Sequence, residues 1–157
     1  MLLYTGQRGS DMVRLGPTML DDGGFYLGPK GQVKTGVRPW CPILPELAAE
    51  MATWEKRPGP YVLTETGRPF TRKHFNERFQ QAIKTIPALK GCTLHGLRAT
   101  AVIRLKRAGL SVSMIADMVG MSVAMVSRYT RFDDKRASGK AGLVILAEQA
   151  AKKNSRS

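Results

Sequence analysis

The second half of the chain is divided into short helical segments by residues that begin and end helices. Thr93 is a favourable N-cap, and Gly109 follows the apolar pattern that starts at Leu94. Ser111 and Gly120 bracket the next segment in the same way. Each segment is too short to be stable alone and must bury its apolar face against a neighbour. This half of the chain is therefore expected to fold as short, mutually packed helices.

Further helices are predicted on both sides of these two, together with one brief strand. The helices run over about residues 47–54, 71–86, 122 onwards and 143–151, and the strand over 61–63. The expected core comes from the central segments. It consists of Leu94, Leu97, Val102, Ile103, Leu105, Ile115 and Val119.

The first part of the chain predicts a different kind of structure. Residues 1–15 indicate a helix end, a glycine-containing turn at Thr5–Gly9 and a new helix capped by Ser10 or a neighbour. Residues 21–44 are rich in glycine, aromatic and β-branched residues, which favours a small β-hairpin or meander. We therefore predict an α+β fold, mostly α-helical, with a small antiparallel sheet near residues 23–44.

The chain carries a large excess of positive charge. Lys and Arg number 25 against 12 Asp and Glu, which gives a formal net charge of +13 and a pI near 10.3. The basic residues are spread from Arg8 to Arg156, which indicates a charged binding face more than a disordered arm. A polyanionic partner is the natural interpretation, and an ordinary basic protein without such a partner is the alternative.

Other classes of protein are disfavoured by the sequence. Cys41 and Cys92 form no C-x-x-C pair and stand apart from any histidine cluster, so neither a disulfide framework nor a zinc site is indicated. No apolar run approaches the roughly 18 residues that span a bilayer, and Met1–Tyr4 is too short for a signal peptide. We therefore expect a protein of a reducing cytoplasm.

Several residues could act on an anion, although each is a weak indication by itself. His95 and Arg98 are three apart, so on a helix they share one face near its positive N-terminus, which attracts phosphate. Arg8 follows a glycine-containing turn, with Asp11 one turn along to orient it. Taken alone, such residues are ordinary solvated charges.

Lys34 and Tyr129 complete this set. Lys34 lies in the predicted hairpin, where a long flexible cation can reach a neighbouring site, although most hairpin lysines face water. Tyr129 lies on the helix that starts at Ser122, where packing at a core edge is the ordinary role of a tyrosine. Neither residue indicates a site without the others.

The order of these residues is more specific than any one of them. The chain contains Thr-Gly-x-Arg-x-x-Asp, then Lys-Thr-Gly, then His-x-x-Arg-x-Thr, and finally Gly-Met-Ser followed by Arg-Tyr-Thr-Arg. This set resembles the catalytic segments of the tyrosine recombinases of the phage integrase family, in the family's order and at about its spacings. The resemblance extends from Leu2 to Phe132. It implies a catalytic domain over residues 1–151, with the fold of DNA breaking-rejoining enzymes, and a disordered basic tail at 152–157.

The resemblance also implies a role for each matched residue. The matched positions are the nucleophile Tyr129, the two arginines Arg8 and Arg98, the histidine His95 and the hairpin lysine Lys34, with Asp11 and Gly120 in support. Two arginines can clamp the charge of a phosphodiester through bidentate hydrogen bonds that need no metal. The histidine would accept or orient a proton, and the lysine would protonate the departing 5′ oxygen.

The implied reaction is site-specific strand exchange in a mobile element. Attack by the tyrosine leaves a 3′-phosphotyrosyl link, which a second strand's hydroxyl reseals, so that no ATP and no cofactor is expected. The expected partners are double-stranded DNA and further copies of the chain, as a tetramer on DNA that docks through the C-terminal helix; packing of that helix on its own domain is the alternative. A protein of this kind, prokaryotic or phage in origin, would be associated with the nucleoid.

The sequence departs from the family's pattern in three respects. The family usually has His or Trp after the glycine upstream of the nucleophile, whereas here Gly120 is followed by Met121, which cannot donate a hydrogen bond to phosphate. The interval from Met121 to Tyr129 is one residue shorter than usual. The core-binding domain that normally precedes the first arginine is also expected to be absent, as in a fragment or a truncated form.

Two other functions remain open at this point. Ala116, Gly120 and Val126 have the spacing of a helix-turn-helix, which is typical of a transcription regulator. A catalytically weakened DNA-binding relative is favoured by Met121. Both differ from a recombinase in forming no covalent bond with DNA.

Overall fold

The structure is a computed structural model that describes residues 1–154. Its elements in chain order are helices α1 (Leu2–Thr5) and α2 (Gly9–Met12), strands β1 (Leu20–Asp21), β2 (Gly24–Tyr26) and β3 (Trp40–Pro42), and helices α3 (Pro45–Ala52), α4 (Arg72–Lys84), α5 (Leu94–Arg107), α6 (Val112–Val119) and α7 (Val123–Asn154). Single 3-10 turns lie at Pro17–Met19 and Pro87–Leu89. The predicted α+β fold, mostly helical with one small antiparallel sheet, is confirmed.

The central helices begin and end where their capping residues stand. Thr93 Oγ1 accepts a hydrogen bond from Gly96 N at 2.9 Å, and Ser111 Oγ accepts one from Met114 N at 3.2 Å. Both bonds satisfy backbone N–H groups that the first turn of a helix leaves free. Gly120 ends α6 in the left-handed conformation, with φ 63°. These caps set the relative positions of α5, α6 and α7.

The turn between α1 and α2 packs tightly against α6. Gly6 ends α1 with φ 60°, and a Cβ at this position would stand 2.8 Å from Val119 Cγ1, which is too close for any side chain. Helix α2 starts one turn later, with Arg8 as its N-cap in place of the predicted Ser10. The reason is the extended backbone of Arg8, with φ −71° and ψ 153°, which already begins the helix at Gly9.

The three strands form an antiparallel sheet in the order β1-β2-β3. Phe25 pairs with Cys41 in the register of β2 and β3, and both side chains are buried. The long connection between these two strands carries Lys34. The brief strand predicted at 61–63 is reduced to one isolated bridge between Leu63 and Pro69.

Two apolar clusters lie side by side in the core. The first joins α1, α2, the sheet and α3; its buried members are Leu2, Met12, Leu15, Phe25, Leu27 and Leu47. The second joins α5, α6 and the start of α7; its buried members are Val102, Leu105, Ile115, Ala116, Val119 and Val126. Of the predicted core, Leu94, Leu97 and Ile103 are only half-buried. Leu94 and Leu97 lie in the first turn of α5, where they pack at the edge of the first cluster.

The end of the chain differs most from the prediction. The helix predicted from Ser122 and the one predicted over 143–151 are one continuous helix, α7, because Gly139 and Gly142 do not interrupt it. A glycine inside a helix costs only about 1 kcal/mol, which its neighbours can offset. The helix reaches Asn154, so it includes the start of the predicted tail at 152–157, of which residues 155–157 lie outside the described residues.

No helix within the described residues is both long enough and apolar enough to cross a membrane.

Candidate active site

Tyr129 and His95 are in direct contact on the surface of the helical half. Tyr129 Oη lies 2.9 Å from His95 Nε2, and the two rings meet edge to face with their centroids 5.9 Å apart. The contact arises because His95 is in the first turn of α5 and Tyr129 in the second turn of α7, and these helices pack against each other. The imidazole is exposed and the phenol is half-buried. The pair is therefore accessible to a large substrate.

Arg98 lies one turn further along α5 and is almost fully buried, with 4% of its surface exposed. Its Nη2 donates to the carbonyl oxygen of Val119 at 3.0 Å, whereas its Nη1 is buried without a hydrogen-bond partner. Burial lowers the pKa of Arg98 to about 10, and the nearby charge of Arg8 acts in the same direction. The guanidinium is still charged at neutral pH. A buried cation with a free N–H is suited to an anionic ligand.

Arg8 approaches the same carbonyl through Gln32. Arg8 Nη1 donates to Gln32 Oε1, and Gln32 Nε2 donates to Val119 O at 2.9 Å. Arg8 and Arg98 are therefore on one side of the molecule, as a shared site requires. The two guanidinium groups converge at the C-terminal end of α6.

Asp11 is buried beneath this pair but does not hold Arg8 as the sequence predicted. Its Oδ1 accepts a hydrogen bond from Val33 N at 2.8 Å and lies 3.7 Å from Arg14 Nη1, while its Oδ2 has no hydrogen-bond partner. Arg8 is oriented by Gln32 instead. The carboxylate thus ties α2 to the connection between β2 and β3.

Lys34 is held near the other predicted site residues by its backbone neighbours and not by a contact of its own side chain. It is exposed on the β2–β3 connection, and its ammonium group forms no ion pair or hydrogen bond with any residue that the structure describes. Its two neighbours are anchored, since Val33 N is bound to Asp11 and Thr35 Oγ1 donates to Gln32 Oε1 at 3.0 Å. The backbone at Lys34 is fixed beside the site, and its flexible side chain is free to move.

Gly120 and Met121 follow the carbonyl that both arginines approach. A Cβ on Gly120 would stand 2.4 Å from Gln32 Nε2, so only glycine leaves room for that side chain. Met121 is half-buried and packs with Tyr129 against the second apolar cluster. It supplies apolar packing against this cluster and no hydrogen-bond donor.

Sequence reasoning missed Gln7, Gln32 and the carbonyl of Val119. Gln32 Nε2 also donates to Gln7 Oε1 at 2.8 Å, and Gln7 Nε2 donates to Met118 O at 3.2 Å. Gln32 stands two residues before Lys34, and that position was the only available signal. Buried amides of this kind are visible only once the partners that satisfy them are known.

Comparisons with known proteins show the family and the fold of this chain. The sequence profile of the phage integrase family matches residues 1–136. Among solved structures, the fold is similar to that of the Tn1549 transposon integrase in complex with a circular intermediate DNA, with a TM-score of 0.67 and 20% identity over 89% of this chain and 56% of that chain. The comparison with curated protein sequences found no match.

Two further solved structures share the fold. A lambda integrase dimer bound to a COC′ core site has a TM-score of 0.65 and 20% identity, over 82% of this chain and 48% of that chain. XerA recombinase has a TM-score of 0.65 and 19% identity, again over 82% and 48%. The chain therefore spans about half the length of the structures that it matches.

Proposed function

The chain belongs to the phage integrase family, and from this premise we propose that it is the catalytic part of a tyrosine-type site-specific DNA recombinase. The observation that carries the proposal is the contact of Tyr129 Oη with His95 Nε2 at 2.9 Å, next to the buried and incompletely paired guanidinium of Arg98. A phenol beside a base and an anion-binding cation is equipped to attack a phosphate.

Arg8 and Arg98 would hold the scissile phosphate. In a phosphodiester under attack, charge grows on the two non-bridging oxygens, and guanidinium groups stabilise it by charge-assisted hydrogen bonds. The free Nη1 of Arg98 supports this role because it needs an acceptor that the described residues do not supply. The phosphate would thus replace a missing hydrogen-bond partner.

Tyr129 would form the new bond, and the proton would leave through His95. As the Tyr129 oxygen attacks phosphorus, its proton passes to His95 Nε2, and the bond from phosphorus to the 5′ oxygen breaks. Lys34 would give a proton to that 5′ oxygen, which its exposed and unpaired position permits. The product is a 3′-phosphotyrosyl link and a free 5′ hydroxyl. Attack by a second strand's 5′ hydroxyl reverses the steps and reseals the DNA without ATP or metal.

DNA would be bound mainly through its phosphates. The net charge of +13 supports such binding, and two of the similar structures, those of Tn1549 integrase and lambda integrase, were solved with DNA. Each phosphate contact releases counterions, so the affinity should fall steeply with added salt. Binding that is flat in salt would contradict this part of the proposal. A recombinase of a prokaryotic or phage element would act at the nucleoid.

Further copies of the chain would dock through the end of α7. Four adjacent apolar residues of this helix are more than half exposed: Leu143 68%, Val144 57%, Ile145 55% and Leu146 64%. A tetramer of lambda integrase is known on a Holliday junction. Gel filtration with and without DNA should show larger species on DNA. If only monomers were seen on DNA, α7 would not be an assembly element.

Met121 is expected to slow the reaction without abolishing it. The residue packs against the same apolar cluster as Tyr129 but cannot donate a hydrogen bond to the phosphate. Met121→His should therefore cleave DNA about tenfold faster or more, since a donor to the developing charge is worth at least this much. The rate of adduct formation measures it. An unchanged rate would show that this position acts only through packing.

Met121 also favours a second function. A relative that binds DNA without cleaving it would keep the fold and the basic surface and tolerate the loss of a donor at Met121. The two functions differ in whether the protein becomes covalently attached to DNA.

Covalent trapping tests the proposal. The protein is incubated with nicked duplex DNA from its candidate attachment region, denatured in detergent and examined for DNA-linked protein, alongside Tyr129→Phe and the matched control Tyr26→Phe. Tyr26 is half-buried like Tyr129, lies in β2 and is not a candidate site residue. An adduct that is lost only in Tyr129→Phe supports the recombinase. Salt-sensitive binding without any adduct would favour the binding-only relative.

A further inference from the structure

Gln32 is buried, with 1% of its surface exposed, and uses its whole amide to join separate segments. Its Oε1 accepts hydrogen bonds from Arg8 Nη1 and, at 3.0 Å, from Thr35 Oγ1. Its Nε2 donates to Gln7 Oε1 at 2.8 Å and to Val119 O at 2.9 Å. One side chain therefore links the α1–α2 turn, the β2–β3 connection and the end of α6.

The backbone around Gln32 makes the β2–β3 connection a compact turn. Gln32 N donates to Val37 O at 2.7 Å, and Gly36 N donates to Gln32 O at 2.8 Å. Gly31 lies so close to Gly36 that a Cβ on Gly31 would stand 2.2 Å from the Gly36 oxygen. Lys34 is at the exposed side of this turn. A turn closed on itself moves as a unit, so whatever holds Gln32 also sets the position of the Lys34 backbone.

We propose that Gln32 is a positioning residue that holds the Lys34 turn in register with Arg8 and Arg98. The inference rests on the proposed function, because it gives Lys34 the task of protonating the 5′ oxygen. The link to Arg98 passes through Val119 O, which accepts from both Gln32 Nε2 and Arg98 Nη2. The turn that carries Lys34 and the guanidinium of Arg98 are thereby held by the same carbonyl oxygen.

Position 32 requires an amide because the Gln32 side chain both accepts and donates hydrogen bonds there. A carboxylate in Gln32→Glu keeps the acceptor for Arg8 but presents oxygen to Val119 O, where a donor is required. Gln32→Ala removes both functions and leaves a void beside Gly120. Both changes should let the Lys34 turn move, and a displacement of about 1 Å in a reacting group can slow a reaction about 100-fold.

A sulfur leaving group distinguishes positioning of the acid from a general structural defect. A substrate whose bridging 5′ oxygen is replaced by sulfur releases a thiolate, which needs no proton from Lys34. On the oxygen substrate, Gln32→Ala should cleave about 10 to 100 times more slowly than wild type, in the same direction as Lys34→Ala. On the sulfur substrate, most of both losses should be recovered. The matched control is Gln81→Ala, an exposed glutamine in α4 whose Oε1 accepts a hydrogen bond from Arg78 Nη1.

Two outcomes of this experiment would count against the proposal. Cleavage by Gln32→Ala at the wild-type rate, or an equal loss of its activity on both substrates, would show that Gln32 does not act through the lysine. A wild-type protein that forms no adduct on either substrate would instead contradict the proposed function.

Amide hydrogen exchange of the 31–37 segment tests the positioning without catalysis. In wild type the amides of Gln32, Val33 and Gly36 are hydrogen-bonded and should exchange slowly. Gln32→Ala should raise exchange at Val33 and Gly36, and Gln81→Ala should leave it unchanged. Unchanged exchange in Gln32→Ala would overturn the proposal whether or not the protein cleaves DNA.

Discussion

The two halves of the candidate site differ in burial and in how far their polar groups are satisfied. The arginine half is built into the core, yet Arg98 Nη1 and Asp11 Oδ2 are buried without hydrogen-bond partners. The tyrosine half lies at the surface, where Tyr129 and His95 satisfy each other. Unsatisfied buried groups destabilise a fold, so they persist where a ligand completes them. In the proposed function, this difference corresponds to a phosphate site that is formed in advance and to reacting groups that would adjust to the DNA.

This comparison predicts opposite effects of substitution on stability. Removing a buried cation whose hydrogen bonds are incomplete should relieve the fold while it abolishes anion binding. Removing an exposed reacting group should leave the fold unchanged and affect the reaction alone. Variants of the two halves can therefore be told apart by measuring both the free energy of unfolding and the rate of cleavage.

The largest effect is expected from Arg98→Met. Cleavage should fall by about 100- to 1000-fold because a donor to the developing charge is lost. The free energy of unfolding should be unchanged or higher by about 1 kcal/mol, since the apolar side chain carries no unsatisfied donor and Val119 O keeps its bond from Gln32. Adduct formation and urea denaturation measure the two effects. A large loss of stability would show that Arg98 is a structural residue.

His95→Gln is expected to affect the reaction alone. The amide can still hydrogen-bond Tyr129 but cannot take its proton, so cleavage should be about 100-fold slower. The free energy of unfolding should stay within about 0.5 kcal/mol because the side chain is exposed. The other histidine of the chain gives the matched control, His74→Gln, in the first turn of α4. Equal activity of both variants would exclude His95 as the proton acceptor.

A smaller effect is expected from Gly120→Ala, which tests the junction of the two halves. Gly120 has φ 63°, and an added Cβ would meet Gln32 Nε2 at 2.4 Å. The unfolding free energy should fall by about 1–3 kcal/mol, and cleavage should weaken because Gln32 is displaced. Gly139→Ala, which adds a Cβ in open space on α7, should instead stabilise the protein by about 1 kcal/mol. Equal effects of both changes on unfolding would contradict the close packing at Gly120.

The smallest effect is expected from Arg107→Ala, outside both halves. Arg107 donates two hydrogen bonds to Asp133, at 3.0 and 2.9 Å, and joins the end of α5 to α7. The hydrogen bond from Arg107 is the main reason that the pKa of the Asp133 carboxyl lies below its ordinary value of 3.8.

A carboxyl with a depressed folded pKa stabilises the fold above its unfolded pKa and loses that contribution as the pH falls through the folded pKa. Arg107→Ala should therefore lower the melting temperature slightly at neutral pH, and the difference from wild type should shrink as the pH falls through the folded pKa of Asp133. Cleavage should not change. A difference that persisted in acid would mean that the pair acts through packing.

Local features of the sequence predicted the helices well. Thr93, Ser111 and Gly120 determine helix ends by bonds or backbone angles within a few residues, so their effect can be read from the sequence. The length of α7 could not be predicted in this way. Its continuity past Gly139 depends on the summed stability of all its residues and not on one residue.

The candidate site was predictable as a set of residues but not as a network. The order of motifs indicated Arg8, His95, Arg98 and Tyr129, and the structure brings these four to one side of the molecule. The network depends on contacts across long stretches of sequence, such as Gln32 with Val119, which are 87 positions apart. Local patterns contain no information on such pairs, and for this reason the partner of Asp11 was also wrongly predicted.

The central claim is that the oxygen of Tyr129 forms a covalent bond to DNA. Identifying the residue that carries the DNA tests this claim most directly. The adduct would be digested with nuclease and protease and its peptides sequenced by mass spectrometry. The account predicts a nucleotide remnant on Tyr129 and on no other residue. A remnant on a different side chain, or a DNA-bound protein with an unmodified Tyr129, would contradict it.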